Sequence, residues 1–534
     1  MKRALPTASD VRRDIMAAMP TPVAVWSLNG RDIGFQAGFD EGLEVGGFAG
    51  VRTPAGERLL VQVLELRISE REAMRVEVET EMFGASAASA LQGANVGLIM
   101  RFVEGDARVL AAIDRHELVA ASGQGFRDGR LEPVDERVVG ALLAGGMGAS
   151  VALPVGTVSS VDAEAVLKAA GFARHTFMVG QSGSGKTYSL GAILERMYVH
   201  TTLPMIIIDP NSDYVHLGEL RPREEIRRRG KPPISHRAYR ELKSRMKDAG
   251  DVLVAGANST EVRLAIHLSD LALHEQALTV DLDPLHDGGE YGAFMEAVEA
   301  LAHLPHYGFD DVVAELAPRR DEEAVQLLQR LRNLRVAEWE VWARDDETSL
   351  VQQVVGARVA VLDTGSLADA RARSVVSLAV LGALRRRPQR VPIMLVIDEA
   401  HNVLAPDAPS ALERAITDYG VWVAGEGRKY GVHLVVSTQR PQKIHRNVIS
   451  QCDNLILMRM NSVVDIDELS SIFSHIPRSM IAEARSFAQG EMLVAGPIAT
   501  PSMRVHVGER WCPEGGADLP TTWANGRSPG SSPK

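Results

Sequence analysis

The glycine-rich stretch that organises this chain reads Gly180-Gln181-Ser182-Gly183-Ser184-Gly185-Lys186-Thr187. It fits the P-loop pattern of glycine, any four residues, glycine, lysine, and serine or threonine. An apolar run, residues 176–179, precedes it, and residues 188–198 follow with apolar side chains at helical spacing. A chance glycine-rich turn would not require this flanking strand and helix. We therefore predict a phosphate-binding loop between a buried strand and a helix N-terminus.

The residue types in this loop predict an ATP site. Glycines let backbone N–H groups converge on phosphate oxygens, and the helix N-terminus adds its positive end. We expect Lys186 to reach the β- and γ-phosphates and the Thr187 hydroxyl to bind Mg²⁺. The predicted cofactors are therefore ATP and Mg²⁺. The predicted nucleotide-binding residues are Gly180, Gln181, Ser182, Gly183, Ser184, Gly185, Lys186, Thr187 and Tyr188.

A second apolar run, residues 392–397, ends in two acids, Asp398 and Glu399. An unbroken run of this kind is typical of a buried parallel strand, and ligands bind at the carboxyl ends of such strands. We expect Asp398 to hold the Mg²⁺ shell and Glu399 to orient and deprotonate the attacking water. The alternative, a strand that merely ends in acids, is disfavoured once a P-loop is present.

Two further apolar runs end in polar side chains. Residues 204–208 lead into Asp209, with Asp213 four residues later, and residues 431–436 lead towards Gln439. Gln439 either senses the γ-phosphate or only caps the end of its strand. These runs predict an α/β fold, a RecA-like P-loop ATPase domain.

Composition narrows the class of protein. The chain has 534 residues with 45% apolar and 24% charged residues, which is typical of a globular protein with two to four domains. No apolar run approaches the ~20 residues of a membrane span, and residues 1–22 lack the apolar core of a signal peptide. The two cysteines, Cys452 and Cys512, fit a reducing compartment, so we expect a cytoplasmic protein without a membrane partner. The net charge of −11 excludes a wholesale basic coat for nucleic acid, but not a local basic patch or channel.

The chain divides into five predicted parts. Short strand-like runs between turn residues predict a small β-barrel near the N-terminus, whose acidic residues we interpret as a solvated face. A basic run within residues 223–247 either contacts DNA phosphates or forms a solvated surface with ion pairs. The predicted parts are a lead-in at 1–20, the barrel at 21–112, a connecting segment at 113–160, the ATPase domain at 161–510 with a helical insertion at about 219–353, and a flexible tail at 511–534.

The length that remains after the second acidic motif argues for a ring. About 130 residues follow His401, too few for the remaining strands of this domain and a second motor lobe. A motor with one lobe usually completes its site from the next subunit, which supplies an arginine to the γ-phosphate. No LSGGQ-like signature of an ABC-type ATPase is present.

At this point the chain resembles the HerA-type hexameric DNA translocases of the FtsK–HerA group. Besides the P-loop, the likeness rests on Arg174-His175, Asp209-Pro210, Asp398-Glu399-Ala400-His401-Asn402, Glu426-Gly427-Arg428-Lys429-Tyr430-Gly431 and Ser437-Thr438-Gln439-Arg440-Pro441. It covers roughly residues 20 to 510, including the barrel and the insertion. The chain has Asn211-Ser212-Asp213-Tyr214 where that family usually has His-Gly-Glu-Tyr, which leaves the role of Asp213 open.

The resemblance implies partners and a trans-acting cation. It implies a homo-hexamer on double-stranded DNA, with Arg428, or else Lys429, reaching the nucleotide of the neighbouring subunit. Family members work with a NurA-like nuclease in end resection, and others sit in anti-phage systems beside a sirtuin-like NAD-cleaving protein or another nuclease. The chain has no nuclease motif of its own, so cutting would need a partner.

We predict an ATP-dependent DNA translocase or helicase with catalytic residues Lys186, Glu399, Arg428 and Gln439. One alternative is a ring scaffold whose ATP binding holds an effector enzyme in an assembly with little translocation. The other, a conjugation-type pump, is disfavoured because the sequence has no membrane segment.

Overall fold

The computed structural model describes residues 24–76, 96–115, 117–145, 148–227, 232–257, 262–344, 347–388 and 390–516. Several sequence predictions lie outside these residues. They are the lead-in at 1–20, residues 77–95 of the predicted barrel, the basic residues Arg228, Arg229 and Lys231, and the tail beyond residue 516.

Among the described residues, seven strands form the N-terminal sheet, and six of them close into a barrel. Strand β2 pairs with both β1 and β5, so the ring runs β2-β1-β7-β3-β4-β5 and returns to β2, with β6 added beside β5. The predicted small barrel is thus confirmed. The strands are β1 (Ala24–Ser27), β2 (Asp32–Ala37), β3 (Phe48–Arg52), β4 (Arg58–Val76), β5 (Val96–Asp114), β6 (Glu117–Val119) and β7 (Phe126–Glu132).

The predicted end of the barrel at residue 112 was placed too early. Strand β7 lies in the segment predicted to be a connection, yet it pairs with β1 and with β3 and closes the barrel. It was missed because most of its side chains are polar and at least partly exposed, so it lacks the apolar run that marked the other strands.

Twelve strands form a second sheet in the described part of the chain. Its order is β13-β12-β14-β11-β15-β16-β10-β17-β18-β19-β8-β9, parallel from β13 to β17 and antiparallel from there to β9. The strands are β8 (Ala152–Val158), β9 (Glu164–Lys168), β10 (His175–Val179), β11 (Met205–Asp209), β12 (Leu253–Gly256), β13 (Val262–Arg263), β14 (Val359–Asp363), β15 (Ile393–Ile397), β16 (Val432–Thr438), β17 (Cys452–Met458), β18 (Glu491–Gly496) and β19 (Ala499–Val507).

Helices cover both faces of this sheet, which is the predicted RecA-like α/β fold. Phe177 and Val179 of β10 enter the core on one face, and Met178 between them enters the core on the other. The α-helices are α1 (Glu136–Gly145), α2 (Lys186–His200), α3 (His236–Ala249), α4 (Leu273–Thr279), α5 (Gly288–Leu301), α6 (Phe309–Leu316), α7 (Glu322–Leu334), α8 (Leu350–Gly356), α9 (Ala370–Arg386), α10 (Ala411–Glu426), α11 (Arg446–Ile449), α12 (Val463–Ile472) and α13 (Arg478–Ala482).

Two predicted boundaries of the ATPase domain also differ from the structure. Residues 153–156 lie in the predicted connecting segment at 113–160 but belong to β8, which pairs with β19 and buries Leu153 and Val155. The sheet therefore begins at Ala152 and not at residue 161. The insertion at 219–353 is mostly helical as predicted, but β12 lies within it, paired in parallel with β14. A four-residue strand among helical patterns carries too little signal to be recognised.

The barrel packs on the antiparallel part of the large sheet, where β19 lies. The Gln62 side-chain amide donates to the Ser502 carbonyl (2.6 Å), and Arg504 pairs with Glu44 (2.8 Å). Phe48 and Leu60 of the barrel belong to the same hydrophobic cluster as one face of the large sheet. Within the described ranges, no helix has the length and apolarity needed to cross a bilayer.

Candidate nucleotide site

Four parallel strands bring the predicted site residues to one edge of the sheet. Val179 is in register with Thr438, and Ile397 is in register with both Val436 and Ile208. The residues that follow these strands therefore meet at the carboxyl edge. They are Gly180, Asp398 and Gln439, with Asp209 as the last residue of β11.

The P-loop has a backbone that only glycines accept easily. Gly183 and Gly185 have φ of +73° and +91°, a region that side chains strongly disfavour. A Cβ on Gly180 would lie 2.7 Å from the Cβ of Met458. The Ser184 hydroxyl inside the loop is buried and has no hydrogen-bond partner among the described residues. A phosphate oxygen in the loop would satisfy this group, so the residues present fit the triphosphate of ATP.

Lys186 is buried against the two acids that follow β15. Its Nζ lies 2.7 Å from Asp398 Oδ1 and 3.1 Å from Glu399 Oε1, and it donates to Ser437 Oγ at 3.0 Å. Only 3% of its side chain is exposed. Burial alone would lower the pKa of Lys186, but the two carboxylates outweigh it and raise the pKa. Burial would likewise raise the pKa of Asp398, and Lys186 reverses this, so both groups are held in their charged forms.

Besides Lys186, two neighbours and an unusual backbone conformation fix the carboxylate of Glu399. Its φ of +41° is unusual for a residue with a side chain. The Gln439 amide donates to Glu399 Oε1 at 2.8 Å, and His401 Nδ1 lies 3.2 Å from Glu399 Oε2. These contacts set the direction of the carboxylate. They also place Gln439 beside the predicted base, Glu399. If Gln439 only capped the end of its strand, this contact would not be needed.

A second layer of acids lies behind Asp398. The Tyr214 hydroxyl donates to Asp398 Oδ2 (3.0 Å), and the Tyr214 backbone N–H donates to Asp209 (2.8 Å). Burial raises the pKa of Asp209 to about 6. Burial and the neighbouring Asp209 and Asp398 raise the pKa of Asp213 to about 7. This crowding of carboxyl groups gives the site a surplus of negative charge, which a divalent cation would offset.

The predicted metal residues lie on either side of the lysine. Thr187, the second residue of α2, is half-buried, and Asp398 faces Lys186 across the site. No group of three or more His, Cys, Asp or Glu side chains in the described ranges could hold a metal ion by itself. Mg²⁺ would therefore need oxygens from the nucleotide as well as from Thr187 and Asp398.

Arg428 and Lys429 do not join this site. They lie in a 3₁₀ turn (Gly427–Tyr430) just before β16, at the opposite edge of the sheet. Arg428 is 41% exposed and lies 3.8 Å from Asp453, which also pairs with Arg174 at 3.3 Å. Lys429 is 69% exposed and pairs with Glu426.

Sequence reasoning missed four side chains that complete the site. Ser437, Tyr214 and His401 contact the lysine or the acids, and they lay unassigned in stretches already singled out. Arg459 follows β17, and its guanidinium donates to the Gly183 carbonyl at 3.0 Å. Its only sequence signal was its position after an apolar strand.

The first residues of the predicted flexible tail, 511–516, are packed against the ATPase domain. Residues 508–516, which we name the carboxyl-terminal strap, pack on the P-loop helix α2. The carboxylate of buried Glu195 accepts from Arg510 Nε (3.0 Å) and from the backbone N–H groups of Trp511 (2.7 Å) and Cys512 (3.0 Å). The Tyr188 hydroxyl accepts from the Arg510 N–H (2.8 Å), so this predicted nucleotide residue turns its hydroxyl to the strap. Composition alone did not reveal these buried contacts.

Comparison with known proteins gives one family match. The family described as the central domain of the helicase HerA matches residues 153–380. The probable helicase MJ1565 of Methanocaldococcus jannaschii is 29% identical over 128 residues, 24% of this chain and 24% of that protein. The DNA double-strand break repair helicase HerA of Sulfurisphaera tokodaii is 25% identical over 158 residues, 28% of this chain and 31% of that protein. The matched part thus spans less than a third of either relative.

Among solved structures, VirB4 of Thermoanaerobacter pseudethanolicus aligns with a TM-score of 0.46 and 16% identity. The alignment covers 68% of this chain and 96% of that chain.

Proposed function

We propose that this chain, which carries a HerA-type central domain over residues 153–380, is an ATP-hydrolysing motor that moves or unwinds double-stranded DNA. The observation that carries the proposal is the contact of Lys186 with Asp398 and Glu399 directly beneath the P-loop. A P-loop lysine, a buried metal-binding acid and an oriented base are the groups that phosphoryl transfer from ATP to water requires.

The residues suggest how the site works. Bound ATP with Mg²⁺ would supply the γ-phosphate and the charge that polarises it. With ATP bound, Lys186 would exchange its contact with Asp398 for the phosphates, which would leave Asp398 free to hold the metal together with Thr187. Glu399, directed by Gln439, would accept the proton of the attacking water. Because Gln439 donates to the base and follows β16 at the carboxyl edge, it could also sense the γ-phosphate there.

The proposed assembly is a homo-hexameric ring. Arg428 lies at the edge opposite the chain's own nucleotide site and keeps 41% of its side chain exposed. A cation there is better placed to reach the site of a neighbouring copy than its own, and Lys429 is the alternative. A heterologous contact of this kind repeats from copy to copy and gives a ring when the rotation between copies closes, which is the arrangement that we propose.

The proposed partners are double-stranded DNA in the channel of the ring and an effector that cuts. The effector is a nuclease of the NurA-like kind in DNA end processing, or another nuclease or a sirtuin-like enzyme in anti-phage defence. The proposed location is the cytoplasm. DNA end processing and anti-phage defence would both depend on the same ATP-driven motor. The ATP site is therefore the first part to test.

The test is ATP hydrolysis with and without double-stranded DNA. We expect Lys186→Ala to lose nucleotide binding and Glu399→Gln to bind ATP but not turn it over. Glu323→Gln, an exposed acid of α7, is the matched control and should hydrolyse ATP like the wild type. Near wild-type hydrolysis by Glu399→Gln would refute its role as the base. Hydrolysis that DNA does not stimulate, with no movement along DNA, would instead favour the scaffold alternative.

A further inference from the structure

The order of the strands leaves only one side of the P-loop for the nucleoside part of a bound nucleotide. Asp398 and Glu399 follow β15, which lies beyond β16 on one side of the P-loop strand β10. The γ-phosphate must face these acids. A nucleotide extended along the P-loop therefore has its ribose and base on the other side of β10, where β17 lies.

The end of β17 is fastened to the P-loop on that side. Arg459 donates to the Gly183 carbonyl through one terminal nitrogen (3.0 Å), while its Nε is buried without a hydrogen-bond partner among the described residues. The Asn461 N–H donates to the side-chain oxygen of Gln181 (3.1 Å). The wall next to the loop is thus held in place and still contains an unsatisfied donor.

A cavity of about 370 Å³ opens beside this wall. It is lined by Asn461, Ala482, Glu483, Arg485 and Ser486. Arg485 is exposed, and the described part of the chain gives its guanidinium no hydrogen bond or ion pair. Glu483 accepts from the Ser486 hydroxyl, so two of the lining side chains already contact each other. A planar guanidinium in the lining of a polar cavity suits the face of a nucleobase.

We propose that this cavity is the nucleoside subsite of the ATP site, with Arg485 stacked on a purine base and with Arg459 and Asn461 beside the ribose. The inference rests on the proposed ATP-binding function. A purine is favoured over a pyrimidine because its larger ring system covers more of the guanidinium.

The test compares Mg-ATP with Mg-tripolyphosphate, which has the three phosphates but no nucleoside, by calorimetric titration of the full chain. In the wild type, ATP should bind more tightly than tripolyphosphate. Arg485→Ala should weaken ATP binding about 5- to 100-fold, the usual range for loss of a stacked base, and leave tripolyphosphate binding unchanged. Arg332→Ala, an exposed arginine of α7, is the control and should change neither affinity.

The outcomes separate this inference from the function on which it rests. If the wild type binds neither probe, the proposed ATP site itself is wrong and the subsite falls with it. If the wild type binds both probes and loses both in Lys186→Ala, the ATP site stands. The subsite is then overturned if Arg485→Ala binds ATP like the wild type, or if it weakens both probes equally.

Discussion

Replacing Arg428 with alanine should remove activity while hardly changing the stability of the subunit. Arg428 and Asp453 lie 3.8 Å apart with side chains 41% and 46% exposed. An exposed pair of this kind contributes about 0–1 kcal/mol to folding, and Arg174 remains beside Asp453 in the variant. An arginine that reaches a neighbour's γ-phosphate contributes about 10³- to 10⁵-fold to turnover, or about 4–7 kcal/mol of barrier. The kinetic loss should therefore far exceed the loss of stability.

The assay combines hydrolysis, assembly and mixing. Arg428→Ala should keep its thermal midpoint, its ATP binding and its assembly in light scattering, but lose ATP hydrolysis. Mixed with Lys186→Ala subunits, it should regain part of the activity, because some interfaces then pair an intact P-loop with an intact arginine. Lys429→Ala is the matched variant from the same turn and should retain turnover.

Two results would refute this reasoning. Mixed rings whose composition has been verified, and which regain nothing, would mean that Arg428 acts within its own subunit or has only a structural role. A loss of turnover in Lys429→Ala with normal turnover in Arg428→Ala would transfer the role to the lysine.

Three more predictions follow from other parts of the molecule. Glu195→Ala removes the buried carboxylate that pairs with both Arg510 and Arg196 and leaves Arg510 only Glu514 at 3.6 Å. It should cost about 3–5 kcal/mol, seen as a lower unfolding midpoint, and an unchanged midpoint would contradict the ion-pair account. Burial lowers the pKa of His175 to about 4. Between about pH 6.5 and pH 4 the imidazole therefore takes up a proton in the unfolded chain but not in the folded one. The free energy of unfolding should accordingly fall by about 2 kcal/mol at pH 5. His175→Asn, which can still accept from the Leu434 N–H, should flatten this pH dependence of thermal unfolding, and an equal slope in both proteins would refute the assignment. DNA affinity should fall steeply with salt and vary little with sequence in filter binding, and a strong preference for one short sequence at fixed salt would contradict binding through phosphates.

The sequence predicted the centre of the fold well because the strands that carry the site are fully buried. Met205–Asp209 and Ile393–Ile397 are unbroken apolar runs, since helices cover both faces of the sheet at these positions. Their polar ends then mark the carboxyl edge. Because parallel strands end at the same edge of a sheet, Asp209, Asp398 and Gln439 could be assigned to one edge from the sequence.

The parts that the sequence did not predict depend on contacts between distant residues. Phe126–Glu132 is a strand only because two barrel strands flank it, and its own side chains are mostly polar. The pairing of Lys186 with Ser437 and Asp398 joins residues more than 200 positions apart. The two motifs placed Lys186 and Asp398 in one site, but local periodicity carries no information about which side chains touch there.

The carboxyl-terminal strap has a consequence for synthesis of the protein. The carboxylate of Glu195, on the P-loop helix, finds Arg510 only 315 residues later in the chain. A nascent chain that has released the P-loop but not the strap must keep this acid in water or bury it with only the adjacent Arg196 as a partner, without the three donors of the strap. The helix that carries the phosphate loop therefore completes its packing only after residues 510–512 have been synthesised.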